Sequence, residues 1–346
     1  MFVVRLRKKT LITCCVCLIM GIFLAVFLSK FWLFAAAEEN KDFIKYAKFT
    51  PSYEALSKAM KVDIKSQNED IKINWIDILA YLGAKYGGDF KKYKESDINE
   101  VVKKLKEGTS MEEITKNNKN YNYYHQVYEA VLKEFLGNYK IKTKSKNGEK
   151  NEEWTEVYGL KAFSPIAKTF PYSHYDDFGA RRSYGYKRPH LGHDMMSAIG
   201  TPVIAVESGT VEIMGWNQYG GWRIGIRSFD KKRYYYYAHL RKDRPFHVDL
   251  KEGAVVKAGD VIGYVGRTGY SAKENVNNIS ESHLHWGMEL IFDESQKECD
   301  NEIWIDLWAI TKLLEKNKSA VVRNSETKEF YRENEFTEPN LEPLGL

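Results

Sequence analysis

Ser282-His283-Leu284-His285-Trp286-Gly287-Met288-Glu289-Leu290 sets two imidazoles one residue apart inside an apolar, aromatic run. On an extended strand successive side chains alternate faces, so His283 and His285 share one face while Leu284 and Trp286 pack on the other. A buried pair of polar rings is costly unless each ring finds a partner, and a metal ion is one arrangement that satisfies both. A His-x-His pair by itself is weak evidence, because a histidine in a β core is more often hydrogen-bonded than metal-bound. Its meaning depends on what the rest of the chain supplies.

Upstream, His190-Leu191-Gly192-His193-Asp194 offers another imidazole and a carboxylate four residues apart. A helix or a strand would align them. Pro189 before, Gly192 within and Gly200-Thr201-Pro202 after argue for extended chain. His190, Asp194 and one member of the His283/His285 pair would make three protein ligands and leave a fourth tetrahedral position open, as in catalytic rather than structural zinc. Two histidines are then spare: the other member of the pair, and His239 in Tyr236-Tyr237-Ala238-His239-Leu240. His193, at an odd offset from Asp194, is expected to face away from the metal. His174 and His247 gain nothing from these motifs, and His125, in the helical region, has no metal-spaced companion.

These residues carry a resemblance. From about residue 181 to 293 the chain resembles the lysostaphin-type (LytM) zinc metallopeptidases, marked by His-x-x-x-Asp, a later Tyr-x-His-Leu and a terminal His-x-His. Here they read His190 to Asp194, Tyr237-Ala238-His239-Leu240 and His283-Leu284-His285, with Gly200-Thr201-Pro202-Val203 and Gly266-Arg267-Thr268-Gly269 between them. The resemblance implies Zn2+ held by His190, Asp194 and His285, with His239 and His283 as the unligated catalytic pair. It also implies a mostly antiparallel β core and hydrolysis of peptide bonds in peptidoglycan. Ser183-Tyr184-Gly185-Tyr186 is similar to the family's approach to the first ligand, with Tyr184 in place of the usual Phe and Lys187 where Arg is common. The resemblance admits another class, a non-catalytic scaffold or binding module of a division or sporulation complex. Such modules have lost ligands, and here none of the five residues is missing.

The start of the chain suggests where such a domain works. Arg5, Arg7, Lys8 and Lys9 precede an uncharged run from Leu11 to Leu28, long enough to span a bilayer. By the positive-inside rule residues 1–10 are a cytoplasmic tail, 11–37 a single-pass anchor in the cell membrane, and everything after about residue 38 is extracytoplasmic. The rival reading is a signal peptide cleaved near Ala35-Ala36-Ala37, but the apolar run exceeds the usual signal core. Cys14, Cys15 and Cys17 sit in that run and Cys299 stands alone, so no disulfide framework can be read. A net charge of +5 suits work near anionic polymers or membranes, and no nucleic-acid motif accompanies it.

The chain is thus expected to be α+β: an N-terminal membrane helix, a small helical domain (38–140), a linker and lead-in (141–180), a mostly antiparallel β metallopeptidase domain (181–293), and a C-terminal helix and tail (294–346). In the helical region Asn74 can cap a helix carrying Trp75, Ile78, Leu79, Leu82 and Tyr86 on one face, with Gly87-Gly88 stopping it. Asp97 with Glu100, and Ser110 with Glu113, have capping-box spacing. A last helix bearing Tyr124 to Phe135 is expected to end at Gly137. From Pro202 to Val265 short β-runs are punctuated by glycines, without helical intervals. Alternation along Tyr234 to Tyr237 puts two rings in the core and leaves two to line a cleft. The polar stretch from Tyr270 to Glu281 is expected to wall a substrate groove, Asp306 to Leu314 to form a helix, and the end from Ser325 to be poorly ordered.

Overall fold

Asn74 opens its helix as its chemistry requires. In the computed structural model, which describes residues 43–142, 153–297, 299 and 301–345, the Asn74 side chain accepts the Ile76 N–H at 2.7 Å. Helix α1 (Tyr53–Ser66) is capped by Ser52, and α2 (Trp75–Tyr86) ends at Gly87, whose φ of 62° is the left-handed conformation glycine tolerates best. Helices α3 (Glu95–Lys106), α4 (Met111–Thr115) and α5 (Tyr121–Leu132) complete the bundle. Ser110 caps α4 through the Glu113 N–H at 3.1 Å. Asp97 does not cap. Helix α3 starts two residues before it, and its carboxylate instead accepts from the Tyr86 hydroxyl at 2.5 Å and pairs with Lys85 at 3.1 Å. A tertiary partner has outcompeted the local one. The predicted apolar faces of α2 and α5 are buried.

Helical structure stops sooner than the periodicity suggests. Leu136–Lys142 is strand β1, antiparallel to β2 (Thr155–Leu160) on one side and to β17 (Glu335–Thr337) on the other. Residues that continue a helical stripe can equally alternate along a strand, and here two partners from distant sequence provide the ladder. Residues 143–152 of the expected linker, and the basic tail with the apolar run after it, lie outside the described residues. Among the described residues no helix is long and apolar enough to cross a membrane.

The strands that follow are β3 (Ser173–His174), β4 (Arg181–Arg182), β5 (Arg188–Pro189), β6 (His193–Met196), β7 (Pro202–Ile204), β8 (Gly209–Asn217), β9 (Gly221–Ser228), β10 (Arg233–Ala238), β11 (Val255–Val256), β12 (Val261–Tyr264), β13 (His283–Leu290) and β14 (Ile303–Trp304). The principal sheet runs β11-β8-β9-β10-β13-β6-β3, and β14 pairs with the far end of β13. Its pairings are antiparallel, as expected for strands joined without helices. Tyr235 and Tyr237 are fully buried on one face of β10, while Tyr234 and Tyr236 line a cleft on the other.

The C-terminal region is built into this body. Helix α6 (Trp308–Leu314) falls within the expected span, and just beyond it Lys316 donates to Ser57 of α1 at 2.6 Å. The residues from Ser325 do not form a loose tail. They lead into β16 (Phe330–Arg332), which pairs with β15 (Val321–Arg323), and then into β17. Phe336 is packed with Phe163, Ile204 and Tyr264. Averaged composition hid this, because isolated aromatic residues in a polar stretch suffice to seat a short strand. By its contacts the chain divides into Met1–Ile44, nearly all outside the described residues, and one unit, Lys45–Leu346.

Candidate metal centre and its cleft

Register does most of the assembly. β13 pairs with β6 so that His285 lies opposite Asp194 and His283 opposite Met196. His285 Nδ1 comes within 2.9 Å of Asp194 Oδ1. His190 precedes β6 rather than sharing its strand, since Leu191 and a bend at Gly192 separate it from His193. It is held by a second pairing, in which Gly179 N donates to His190 O and His190 N donates to Ala180 O, both at 2.8 Å. His190 Nε2 then stands 3.0 Å from Asp194 Oδ1 and 3.0 Å from His285 Nδ1. Gly192 is required here, because a Cβ at that position would lie 2.4 Å from the His285 ring.

Among the described residues, His190, Asp194 and His285 form the one group able to hold a metal ion. Tetrahedral zinc with ligand bonds of about 2.0–2.1 Å separates its ligand atoms by roughly 3.3 Å. The observed triangle needs to open by only a few tenths of an ångström. Burial opposes ionisation of Asp194, but the His190 and His285 rings set against it outweigh that cost and hold the carboxyl far below its usual range. Burial also lowers His285, favouring the neutral imidazole that a metal requires.

Two residues with no place in the sequence motifs orient the ligands. His190 Nδ1 donates to Asp177 Oδ1 at 3.2 Å, which leaves its Nε2 lone pair for the metal. Arg182 bridges the carboxylates, donating to Asp177 Oδ2 at 2.6 Å and to Asp194 Oδ2 at 3.1 Å. The available signal was an acid and an arginine shortly before the first ligand. Spacing alone does not single them out, since β4 and the turn that precedes it bring them in. Ser183-Tyr184-Gly185-Tyr186, the expected approach, forms the tip of that hairpin, where Tyr184 stacks on Tyr270 with ring centroids 4.8 Å apart.

His239 and His283 adjoin the triangle, their rings 4.8 Å apart. His283 Nδ1 donates to Glu281 O and His239 Nδ1 to Thr268 O, each at 2.9 Å. A carbonyl can only accept, so in each neutral ring Nε2 keeps the lone pair. His239 has φ 61°, unusual for a residue with a side chain, and its N–H donates to Gly220 O at 2.8 Å. The Gly266-Arg267-Thr268-Gly269 motif thereby gains a physical role: the Thr268 carbonyl sets the His239 tautomer. Burial, with the neighbouring His283 and His285 rings, pushes His239 well below the ordinary histidine value. His193 faces away as expected, bonding His174 at 2.8 Å and packing on Trp308. Burial and His174 push it down to about 3. His125, paired with Asp77 at 3.0 Å, belongs to the helical region.

A cleft of about 290 Å³ runs from His190, His239 and His285 past Tyr236 and Trp304 to Glu289. Tyr270 lines it, so the segment after Gly269 contributes one wall. Asn275 ties that segment down by accepting from the Trp222 indole at 2.9 Å.

The comparisons agree with this geometry. Residues 188–298 match peptidase family M23. Over 130 residues the chain is 40% identical to the L-Ala–D-Glu endopeptidase of Bacillus subtilis, covering 38% of each chain. Over 98 residues it is 40% identical to lysostaphin of Staphylococcus simulans, covering 28% of this chain and 17% of that one. The chain therefore spans well under two thirds of these relatives' length. A solved structure of a candidate glycyl-glycine endopeptidase LytM from Ruminococcus gnavus has a TM-score of 0.51 at 21% identity, over 80% of this chain and 92% of that one, which speaks for the fold. Residues 188–298, which carry the His-Asp-His metal site, are thus similar to peptidase family M23.

Proposed function

We propose that this chain is a membrane-anchored, extracytoplasmic zinc endopeptidase that hydrolyses peptide bonds of peptidoglycan. The observation that carries the reading is the convergence of His190, Asp194 and His285 donor atoms within 3.0 Å of one another, beside two histidines whose tautomers are set by backbone carbonyls. The relatives' names, L-Ala–D-Glu endopeptidase and lysostaphin, point to cell-wall peptides as the substrate class. Zinc, when bound, supplies Lewis acidity that polarises a carbonyl and acidifies water near neutral pH. His283 accepts the proton of the attacking water at Nε2. His239 faces the carbonyl undergoing attack and steadies the charge that develops on it. Asp177 and Arg182 keep the ligands in place throughout.

The reading is tested by incubating the Lys45–Leu346 region with purified sacculi and identifying released fragments by mass spectrometry. Soluble peptides with new amino termini are expected, and sacculi left intact with zinc bound would overturn the proposal. Asp194→Ala in the same region should reduce zinc from about one per chain to none by elemental analysis, since it removes the charged ligand that both imidazoles face. A full complement of zinc in that variant would show that the ligands are misassigned.

Anchoring rests on the basic residues ahead of the apolar run Leu11–Leu28. Protease added to intact protoplasts is expected to digest the region after residue 38. Protection of that region reverses the orientation.

A further inference from the structure

Glu289 is a buried acid for which the chemistry described above has no use. It lies on the same face of β13 as His283, His285 and Gly287, opposite Tyr234 of β10 and Trp304 of β14. The residue is only 2% exposed, and its Oε1 has no hydrogen-bond partner although it lines the cleft. A carboxylate buried without a partner is costly, so such a group is either protonated or awaits a cation.

Its surroundings favour a cation from outside. Glu302, also on the cleft wall, is held by the Trp304 indole, which donates to its Oε2 at 2.7 Å. Trp304 packs over Gly287, where a Cβ would lie 2.6 Å from the ring. The groove therefore passes from the metal ligands over an aromatic floor to two acids. Two nearby basic groups are engaged: Lys297 pairs with Glu212, and Arg227 pairs with Glu294 at 2.5 Å and with Glu212 at 3.7 Å. Arg223 also lines the cleft, and among the described residues no ion pair joins it to Glu289. Burial, and then the Glu302 carboxylate, push Glu289 up to about 8. A cation entering the cleft would favour its ionised form.

We propose that Glu289, backed by Glu302, is a subsite for a primary ammonium group of the substrate peptide. The proposal rests on the endopeptidase reading and specifies its substrate. Glu289 is four residues along the strand from His285, about 13 Å at the rise of an extended chain. An extended peptide with its scissile bond at the metal would present there a diamino-acid side chain, or a free amino terminus, two to four residues away.

The test uses the full chain, zinc-loaded, and stem-type tetrapeptides containing one lysine. One peptide has a free ε-amine and an acetylated amino terminus, a second the reverse, and a third has both amines acetylated. Binding is read by calorimetry in the cold, and hydrolysis by mass spectrometry after warming. One free-amine peptide should bind about 10- to 100-fold more tightly than the doubly acetylated one, the range for a charge-assisted bond. Which of the two does so identifies the source of the ammonium. Glu289→Gln should abolish the preference while leaving zinc content and binding of the doubly acetylated peptide unchanged, and Glu302→Gln should reduce it. Wild-type protein that binds all three alike, or none, overturns the subsite, as does a preference that survives Glu289→Gln. Hydrolysis without amine preference removes the subsite and leaves the endopeptidase. Amine-dependent binding with no hydrolysis of any peptide or of sacculi does the opposite.

Discussion

His285→Ala is expected to lose zinc and hydrolysis together, whereas His283→Ala keeps its zinc and loses hydrolysis by roughly 10²- to 10⁴-fold, the range for a lost general base. The two rings are chemically identical and point to the same face, so only geometry separates their roles. His285 Nδ1 is 2.9 Å from Asp194 Oδ1 and 3.0 Å from His190 Nε2, inside the ligand triangle. His283 Nε2 stands 3.7 Å from Asp194 Oδ1, outside it. Removing His283 leaves all three donors in place. His239→Ala should resemble His283→Ala, with weaker substrate binding in addition because its ring lines the cleft. Zinc content by elemental analysis and sacculus hydrolysis on the same preparations make the comparison. Equal zinc loss from the His283 and His285 variants would sink this division of roles.

Arg233→Met should destabilise the protein by about 3–5 kcal/mol, measured as a shift of the denaturant midpoint at constant slope. Arg233 is fully buried at the start of β10. Its guanidinium donates to Glu207 at 2.8 and 3.1 Å, to Asp230 at 3.0 Å, and to the Ala130 carbonyl of α5 at 2.6 Å. The Tyr235 hydroxyl donates to Glu207 at 2.6 Å. Met fills the space but leaves Glu207 as a buried, unneutralised carboxylate and the Ala130 carbonyl without this donor. The charge left behind sets the size of the effect more than the lost bonds do. Arg233→Met combined with Glu207→Leu should therefore recover most of the loss, because an apolar pair of similar volume often equals a buried ion pair. A single variant as stable as the parent, or a double variant no better than the single, would mean that charge burial does not control this junction.

This junction also explains part of what sequence reading missed. Arg233 is 103 residues from its carbonyl partner Ala130, and nothing local marks either. The same holds for Leu136–Lys142, whose strand exists because β2 and β17 pair with it, and for Asp97, which left a cap for Tyr86. In each case a distant partner outweighed a local preference worth about a kilocalorie.

What the sequence determined by itself is what short-range geometry controls. Period-two alternation put His283 and His285 on one face and divided Tyr234 to Tyr237 between core and cleft. Asn74 and Gly87 bracketed a helix, and the resemblance carried by the His-containing motifs pointed to the five residues expected at the centre. Tertiary structure alone decided how these pieces meet. The β6–β13 register sets His285 against Asp194, while the turn before β4 brings Asp177 to His190 and β4 brings Arg182 to Asp194. The Thr268 carbonyl selects the His239 tautomer, and Glu289 is left without a partner in the cleft. Alternation follows from the backbone of each residue and its neighbours, so it can be read along the chain. Register, tautomer and an unmet charge depend on atoms far away in sequence, and they exist only once the chain has closed on itself.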